Sequence, residues 1–372
     1  MYFIDQRLQV ICNQLQLFRF RNKQDLPNWK CKFGQYFRPE EADASELPWE
    51  YFNSYGMRWY SNYVGTEKFE GAFEGQVTDF KGILGAHYWF RTKVTIPESM
   101  DGKSVWFKIH TGLEEWDDGK NPQFLIFVNG EVRQGADINH REMLLFEKAV
   151  AGTTVTIDIQ AYTGTLHREF NFLAELYELD EDVNQLYYDL QVPLWAFGRM
   201  DPDNKIRLDL QTVLNEAINL LDMRIPHSPA FKASVKKAID YLSVELYEKM
   251  GGYDDVIATC IGHTHIDVAW WWTVAQTREK VARSFATVLK LMEEYPEYKF
   301  MSSQPVLYYF LQQRYPELLE KIKERVKEGR WEPEGGMWLE ADCNLTSGES
   351  LVRQFVHGKR FFKDPFGVDN KI

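Results

Sequence analysis

Val256-Ile-Ala-Thr-Cys-Ile261 runs without a break into Gly262-His-Thr-His-Ile-Asp267. The first half is a short apolar run, the pattern of a strand buried on both faces of a parallel sheet. The second half is polar and lies where α/β proteins keep their reactive loops, just past a strand's carboxyl end. Onward from this point the pattern alternates. Residues 273–295 read as a helix closed by Pro296, and Lys299-Phe-Met-Ser-Ser303 as a second strand. Pro305 opens a helix that runs to Gly329, Arg330-Trp-Glu-Pro333 is a third strand, and residues 348–363 form a third helix. This βαβαβα order predicts a parallel α/β sheet of barrel-like type with its site at the carboxyl ends of the strands. Three units do not close a barrel, and a fourth strand falls due near Ile372. Residues 253–372 therefore read as the N-terminal part of a truncated catalytic domain.

Toward the N-terminus the character changes twice. Residues 182–252 are helical and read as a connector. Leu208, Val213, Leu214, Ala217, Leu220 and Leu221 mark one helix face. Ser228-Pro229 opens a second helix, in which Val235, Ala238, Ile239, Leu242 and Leu246 recur, and Gly251-Gly252 ends it. Residues 61–181 carry short strands: His87–Ile96, Val105–His110, Gln123–Val128, Val155–Ala161 and Phe170–Leu176. Turns are marked at Asp101-Gly102 and Asn129-Gly130. Short strands at this spacing predict a β-sandwich. Within residues 1–60, Ile4, Leu8, Ile11, Leu15 and Phe18 recur at helical spacing, while 25–60 show little periodicity and read as an irregular arm. The chain is thus expected to be multidomain.

Composition narrows the partners. The formal charge is −12 and no Lys/Arg-rich run stands out, which argues against nucleic acid or an anionic membrane. No stretch is long and apolar enough to span a bilayer, and the N-terminus lacks the marks of a signal peptide. Cys12, Cys31, Cys260 and Cys343 form no CxxC pair, as expected of reduced thiols in a cytoplasmic protein. The chain's 12 Trp, 19 Tyr and 25 Phe can fill a large core and still show rings to a ligand such as a sugar, although any single ring is expected to be core.

Two segments carry the candidate chemistry. In an extended segment, residues two apart point the same way, so His263, His265 and Asp267 would form one row of two imidazoles and a carboxylate. Those are suitable ligands for a divalent ion such as zinc. The second segment, Glu334-Gly-Gly-Met-Trp-Leu-Glu-Ala-Asp342-Cys-Asn344, follows the third strand and puts three carboxylates at the same end of the sheet. Its double glycine permits a close-approaching backbone. Thr346-Ser-Gly-Glu349 has the capping-box pattern, which leaves Asp342 free of a capping role. Trp270, three residues past Asp267, is placed to floor a pocket under a pyranose ring.

GHTHIDVAWWW (262–272) resembles the first metal-binding segment of glycoside hydrolase family 38, the α-mannosidases. WEPEGGMWLEADCNLTSGESLVRQF (331–355) resembles that family's nucleophile segment, in its bacterial and cytosolic form. The resemblance implies that His265 and Asp267 bind zinc, that Asp342 is the nucleophile and also coordinates the metal, and that Trp270 stacks on mannose. His263 is implied to support the metal site from behind. It further implies a retaining hydrolase with one Zn²⁺, or Co²⁺, per complete site, acting on mannose-containing glycans. Family members carry another metal-binding His and a general acid downstream of Asp342. The chain as given is therefore expected to lack both and to be inactive alone. Its uncovered α/β unit is expected to self-associate as a homo-oligomer. Two rival readings are a metal-dependent amidohydrolase, which also places His-x-His after a first strand, and a non-catalytic mannoside-binding protein.

Overall fold

The computed structural model describes residues 2–60, 87–112, 121–164, 169–250, 258–270 and 272–371. Helix α1 (Tyr2–Phe18) opens the chain. It is followed by β1 (Phe20–Asp25), β2 (Asn28–Phe33), helix α2 (Pro39–Ala44), β3 (Glu50–Asn53) and β4 (Trp59–Tyr60). Then come β5 (His87–Thr95), β6 (Val105–His110), β7 (Gln123–Val128), β8 (Glu131–Ala136), β9 (Glu142–Phe146), β10 (Thr154–Tyr162), β11 (Glu169–Phe170) and β12 (Leu173–Leu179). Ten of these strands build two antiparallel sheets, one in the order β1-β12-β6-β9 and one in the order β3-β2-β5-β10-β7-β8.

An aromatic core fills the space between the sheets. Phe90 stacks on Phe172 at 3.9 Å between ring centroids, and buried Trp59 meets both edge-on. The larger sheet is covered on its other face as well. The odd positions of β7, Leu125 and Phe127, leave the sandwich core and join Trp89 and Val132 against the α/β unit. That double burial is why β7 reads as an unbroken apolar run rather than an alternation.

The stretch expected to be an irregular arm instead supplies β2 and β3 to the larger sheet. Trp29 and Cys31 of β2 are buried in the sandwich core. Lys32 on the opposite side is buried too, its ammonium donating to the Ala42 carbonyl and lying 5.3 Å from the Trp49 ring centre. A buried lysine breaks the apolar pattern by which strands are recognised.

The helices follow: α3 (Glu181–Phe197), α4 (Lys205–Asn219) and α5 (Pro229–Leu242), which continues as a π-helical turn, Ser243–Glu248. Ser228 caps α5 with Pro229 in its first turn, as the sequence predicted. The expected end at Gly251-Gly252 lies outside the described residues. The face of α4 needs correction: Leu210, Leu214, Ala217 and Ile218 are buried, whereas Leu220 is exposed. Leu8, Cys12 and Leu15 of α1 pack into this helical cluster.

The third unit consists of β13 (Gly262–His263), α6 (Val274–Glu294), β14 (Phe300–Ser302), α7 (Pro305–Arg314), α8 (Pro316–Lys327), β15 (Trp331–Pro333) and α9 (Gly348–Phe366). The strands are parallel in the order β13-β14-β15. Pro316 splits the expected single helix into α7 and α8. The first strand also differs from expectation. Residues 258–261 carry no strand and are exposed, and pairing starts only where the Gly262 N–H donates to the Lys299 carbonyl at 2.8 Å. Among the described residues β13 pairs only with β14 and forms an edge of the sheet. No helix among the described residues is long and apolar enough to cross a membrane.

Candidate functional site

The loop from His263 to Trp272 leaves β13 and enters α6. Thr273 caps that helix by accepting from the Gln276 N–H, while the Gln276 side chain accepts from the Thr273 N–H at 2.9 Å. Both interactions together make a capping box that fixes where the loop ends. Thr277, one residue further, donates through its hydroxyl to the Val268 carbonyl. The Trp272 indole N–H donates to the Thr277 hydroxyl at 3.1 Å and to the Asp267 carbonyl at 3.2 Å. The first turn of α6 therefore grips both halves of the loop.

On that frame, His265 Nε2 faces Asp267 Oδ1 at 3.3 Å, and His265 Nδ1 faces Glu340 Oε2 at 3.5 Å. All three side chains are about half exposed. The expected row is thus only partly formed. His263 turns its Nδ1 to the Met301 carbonyl at 3.0 Å, away from the pair. Asp342 stays on its own loop, where Oδ1 accepts from the Asn344 N–H at 2.8 Å. Trp270 is 69% exposed and sits edge-on to Trp272, 5.7 Å between centroids. The structure therefore brings together His265, Asp267 and Glu340, and among the described residues no hydrogen bond or ion pair joins Asp342 to them. Among the described residues, no three His, Cys, Asp or Glu side chains stand as a ready-made metal group. The donor types of His265 and Asp267 suit a divalent ion, but two donors do not complete a coordination sphere.

Gln304 was not singled out by sequence reasoning, yet it joins the two loops. Its side-chain nitrogen donates to the Ile266 carbonyl at 2.9 Å, and its oxygen accepts from the Glu340 N–H at 3.4 Å. It is buried and has φ +64, an uncommon conformation for a residue other than glycine. Pro305 behind it favours extended backbone at this position rather than the left-handed one, so no local pattern marked Gln304. Glu340 is also held by Ser303, whose hydroxyl donates to Oε1 at 3.0 Å. The cap of α9 is Ser347, accepting from the Ser350 N–H, in place of the expected Thr346.

Gly335 takes a positive φ of +82, as the double glycine implied. A Cβ on Gly336 would meet the Phe355 ring at 3.0 Å and the Lys359 side chain at 3.6 Å. The tightest approach to a backbone atom is at Gly358 of α9, where a Cβ would lie 2.2 Å from the Gly336 carbonyl oxygen. A cleft of about 510 Å³ runs beside the loop, lined by His263, His265 and Trp270 on one wall and by Asp137 and His140 of the sandwich on the other.

Fold and site together define a class: a parallel α/β unit that carries imidazole and carboxylate groups just past its strand ends, docked on a β-sandwich. Residues 255–372 match the model of the N-terminal domain of glycosyl hydrolases family 38. It is 38% identical over 195 residues to alpha-mannosidase G of Dictyostelium discoideum, covering 52% of this chain and 17% of that protein. It is 36% identical over 195 residues to human alpha-mannosidase 2C1, covering 52% and 18%. An alpha-mannosidase of Saccharomyces cerevisiae matches at 33% over 204 residues, covering 52% and 18%. The chain thus spans under a fifth of the length of these relatives. A solved β-glucuronidase from Ruminococcus gnavus aligns over 43% of this chain and 29% of its own, with 14% identity and a TM-score of 0.25. At that level the likeness bears on neither fold nor function.

Proposed function

We propose that this chain is the N-terminal part of a metal-assisted, retaining α-mannosidase of the cytosolic type, cleaving terminal α-mannosides of glycans or oligosaccharides. The observation that supports it most is the family match over the segment that holds His265, Asp267 and Asp342. In this reading the chain divides at about residues 181 and 252, the strands before residue 60 belonging with the sandwich, and the parallel strands β13–β15 begin a closed barrel. Asp342 attacks the anomeric carbon and forms a glycosyl-enzyme, while a second carboxylate, supplied by the longer protein, protonates the leaving oxygen. Trp270 presents a flat, exposed ring to the apolar face of the sugar. His265 and Asp267 would hold one Zn²⁺ or Co²⁺, with Asp342 joining them and His263 behind. The ion, when bound, supplies positive charge that holds sugar hydroxyls in place. All four cysteines are unpaired, which supports a cytoplasmic setting.

The test uses the complete protein and an aryl α-mannoside. Turnover should release the α-anomer first by NMR, and Asp342→Ala should lower kcat on the order of 10⁴-fold or more. His265→Ala and Asp267→Ala should each strip most of the bound metal in elemental analysis. Full metal occupancy in both, or inversion at the anomeric carbon, would overturn the reading. Residues 1–372 alone should bind no metal tightly and turn over nothing above background, because a positioned general acid by itself contributes about 10²–10⁴-fold.

A further inference from the structure

The grip of α6 on the His263–Trp272 loop has a counterpart on the helix's other side. There the helix meets one end of the larger sheet of the sandwich. Tyr162 is the last residue of β10, and its cross-strand partners are His87 at the start of β5 and Gln123 at the start of β7. These three adjacent residues are all met by polar side chains of α6, Gln123 by both Lys280 and Arg283. Gln276 donates to the Tyr162 hydroxyl, Glu279 lies 3.0 Å from His87 Nε2, and Arg283 donates to Gln123 Oε1 at 2.6 Å. Glu279 also accepts from Gln35 at 2.7 Å and is 1% exposed.

Further along, the two backbones touch. A Cβ on Gly135 of β8 would lie 2.5 Å from the Arg283 carbonyl oxygen, and the Thr287 hydroxyl donates to the Gly135 carbonyl at 3.2 Å. An interface meant only to stabilise needs no buried ions, since apolar replacement of such groups is often neutral or favourable. What polar partners add is a single register between packed elements, which apolar contacts alone leave free to slide. Gln276 occupies both networks. Its side-chain oxygen closes the capping box that ends the loop, and its nitrogen is held by Tyr162.

We propose that the β-sandwich fixes the position of the candidate catalytic loop through α6, with Tyr162, His87 and Gln123 as positioning residues for His265 and Asp267. This rests on reading that loop as the active site, and the test keeps the two claims separable. Amide hydrogen exchange by mass spectrometry on residues 1–372 follows the peptide 262–272 alongside peptides of β6 and β12 in the far sheet. Tyr162→Phe removes one hydroxyl, and His87→Ala removes the partner of Glu279. Each should speed exchange in 262–272 at least about tenfold while β6 and β12 keep their protection, and His87→Gln should restore the slow rate. Unchanged exchange in 262–272, or a rise shared equally by the far sheet, overturns the proposal. In the complete protein, Tyr162→Phe should lower kcat for an aryl α-mannoside about tenfold or more with KM within about twofold, the signature of misplaced groups rather than lost sugar contacts. Equal loss through KM alone counts against it. A wild-type protein that turns over no mannoside would sink the mannosidase reading and leave the exchange result to decide this one.

Discussion

Gly358 shows how a single missing side chain sets the shape of the candidate site. It lies within α9, where alanine would ordinarily be favoured over glycine by about 0.5–1 kcal/mol. Here a Cβ would meet the Gly336 carbonyl oxygen at 2.2 Å and backbone atoms of Met337 and Trp338 at 2.9 Å, none of which can swing aside. Gly358→Ala should therefore destabilise by about 1–3 kcal/mol, the usual cost of overpacking. Chemical denaturation checks it, and a variant as stable as the parent would show that the helix and loop can part freely. The sequence displayed Gly335-Gly336 as the place of close approach, and half of that was legible. Gly335 does adopt a left-handed backbone, but the crowding is on the partner helix, whose register against the loop no local pattern encodes. Gln304 was illegible for the same reason, since its two partners are 38 and 36 residues away.

At the scale of elements, helices and strongly apolar strands were read well. α1, α6 and α9 fall where the sequence put them, as do β5, β6, β7 and β10. The reading failed where buried positions are polar. The buried Lys32 hid β2, and buried Gln134 interrupts the apolar pattern of β8; β1 and β9 were not anticipated either. Two features of the α/β unit stay uncovered. β13 and β15 are both edges of a three-stranded sheet, and α9 exposes Val352, Phe355 and Val356 at 57, 44 and 45%. Unpaired edges and contiguous apolar surface attract partners. We expect residues 1–372 to form dimers or larger species through this unit, and Phe355→Lys with Val352→Glu to reduce them. A clean monomer by light scattering at high concentration, without binding of a hydrophobic dye, would refute this.

For the molecule as a whole, the junction between sandwich and α/β unit should respond to acid. Burial pushes the Glu279 carboxyl up, but His87, Arg283 and Gln35 outweigh it and hold the group below its ordinary value of 4.5. A depressed carboxyl contributes stability that is present above the ordinary value and lost as pH falls below it. Stability measured from pH 7 downward should therefore drop below about pH 4.5, and Glu279→Gln should flatten that drop. An identical pH profile in the variant would show that other carboxyls carry the effect.

The four thiols give the molecule a built-in set of chemical reporters. Cys12 and Cys31 are buried, one in the helical cluster and one in the sandwich, and burial pushes the first up to about 12 and the second well above its ordinary value. Thiols of that kind are poor nucleophiles, since the thiolate is the reacting form. Cys260 and Cys343 are exposed, one two residues before β13 and one next to Asp342. A maleimide under native conditions should add two labels per chain and four after unfolding, counted by mass spectrometry. One native label would sit just before the short strand that leads into the His265 loop, and the other on the Asp342 loop. Without any engineered cysteine, a donor and acceptor dye there would measure how far apart those loops stand and whether a metal or a mannoside draws them together.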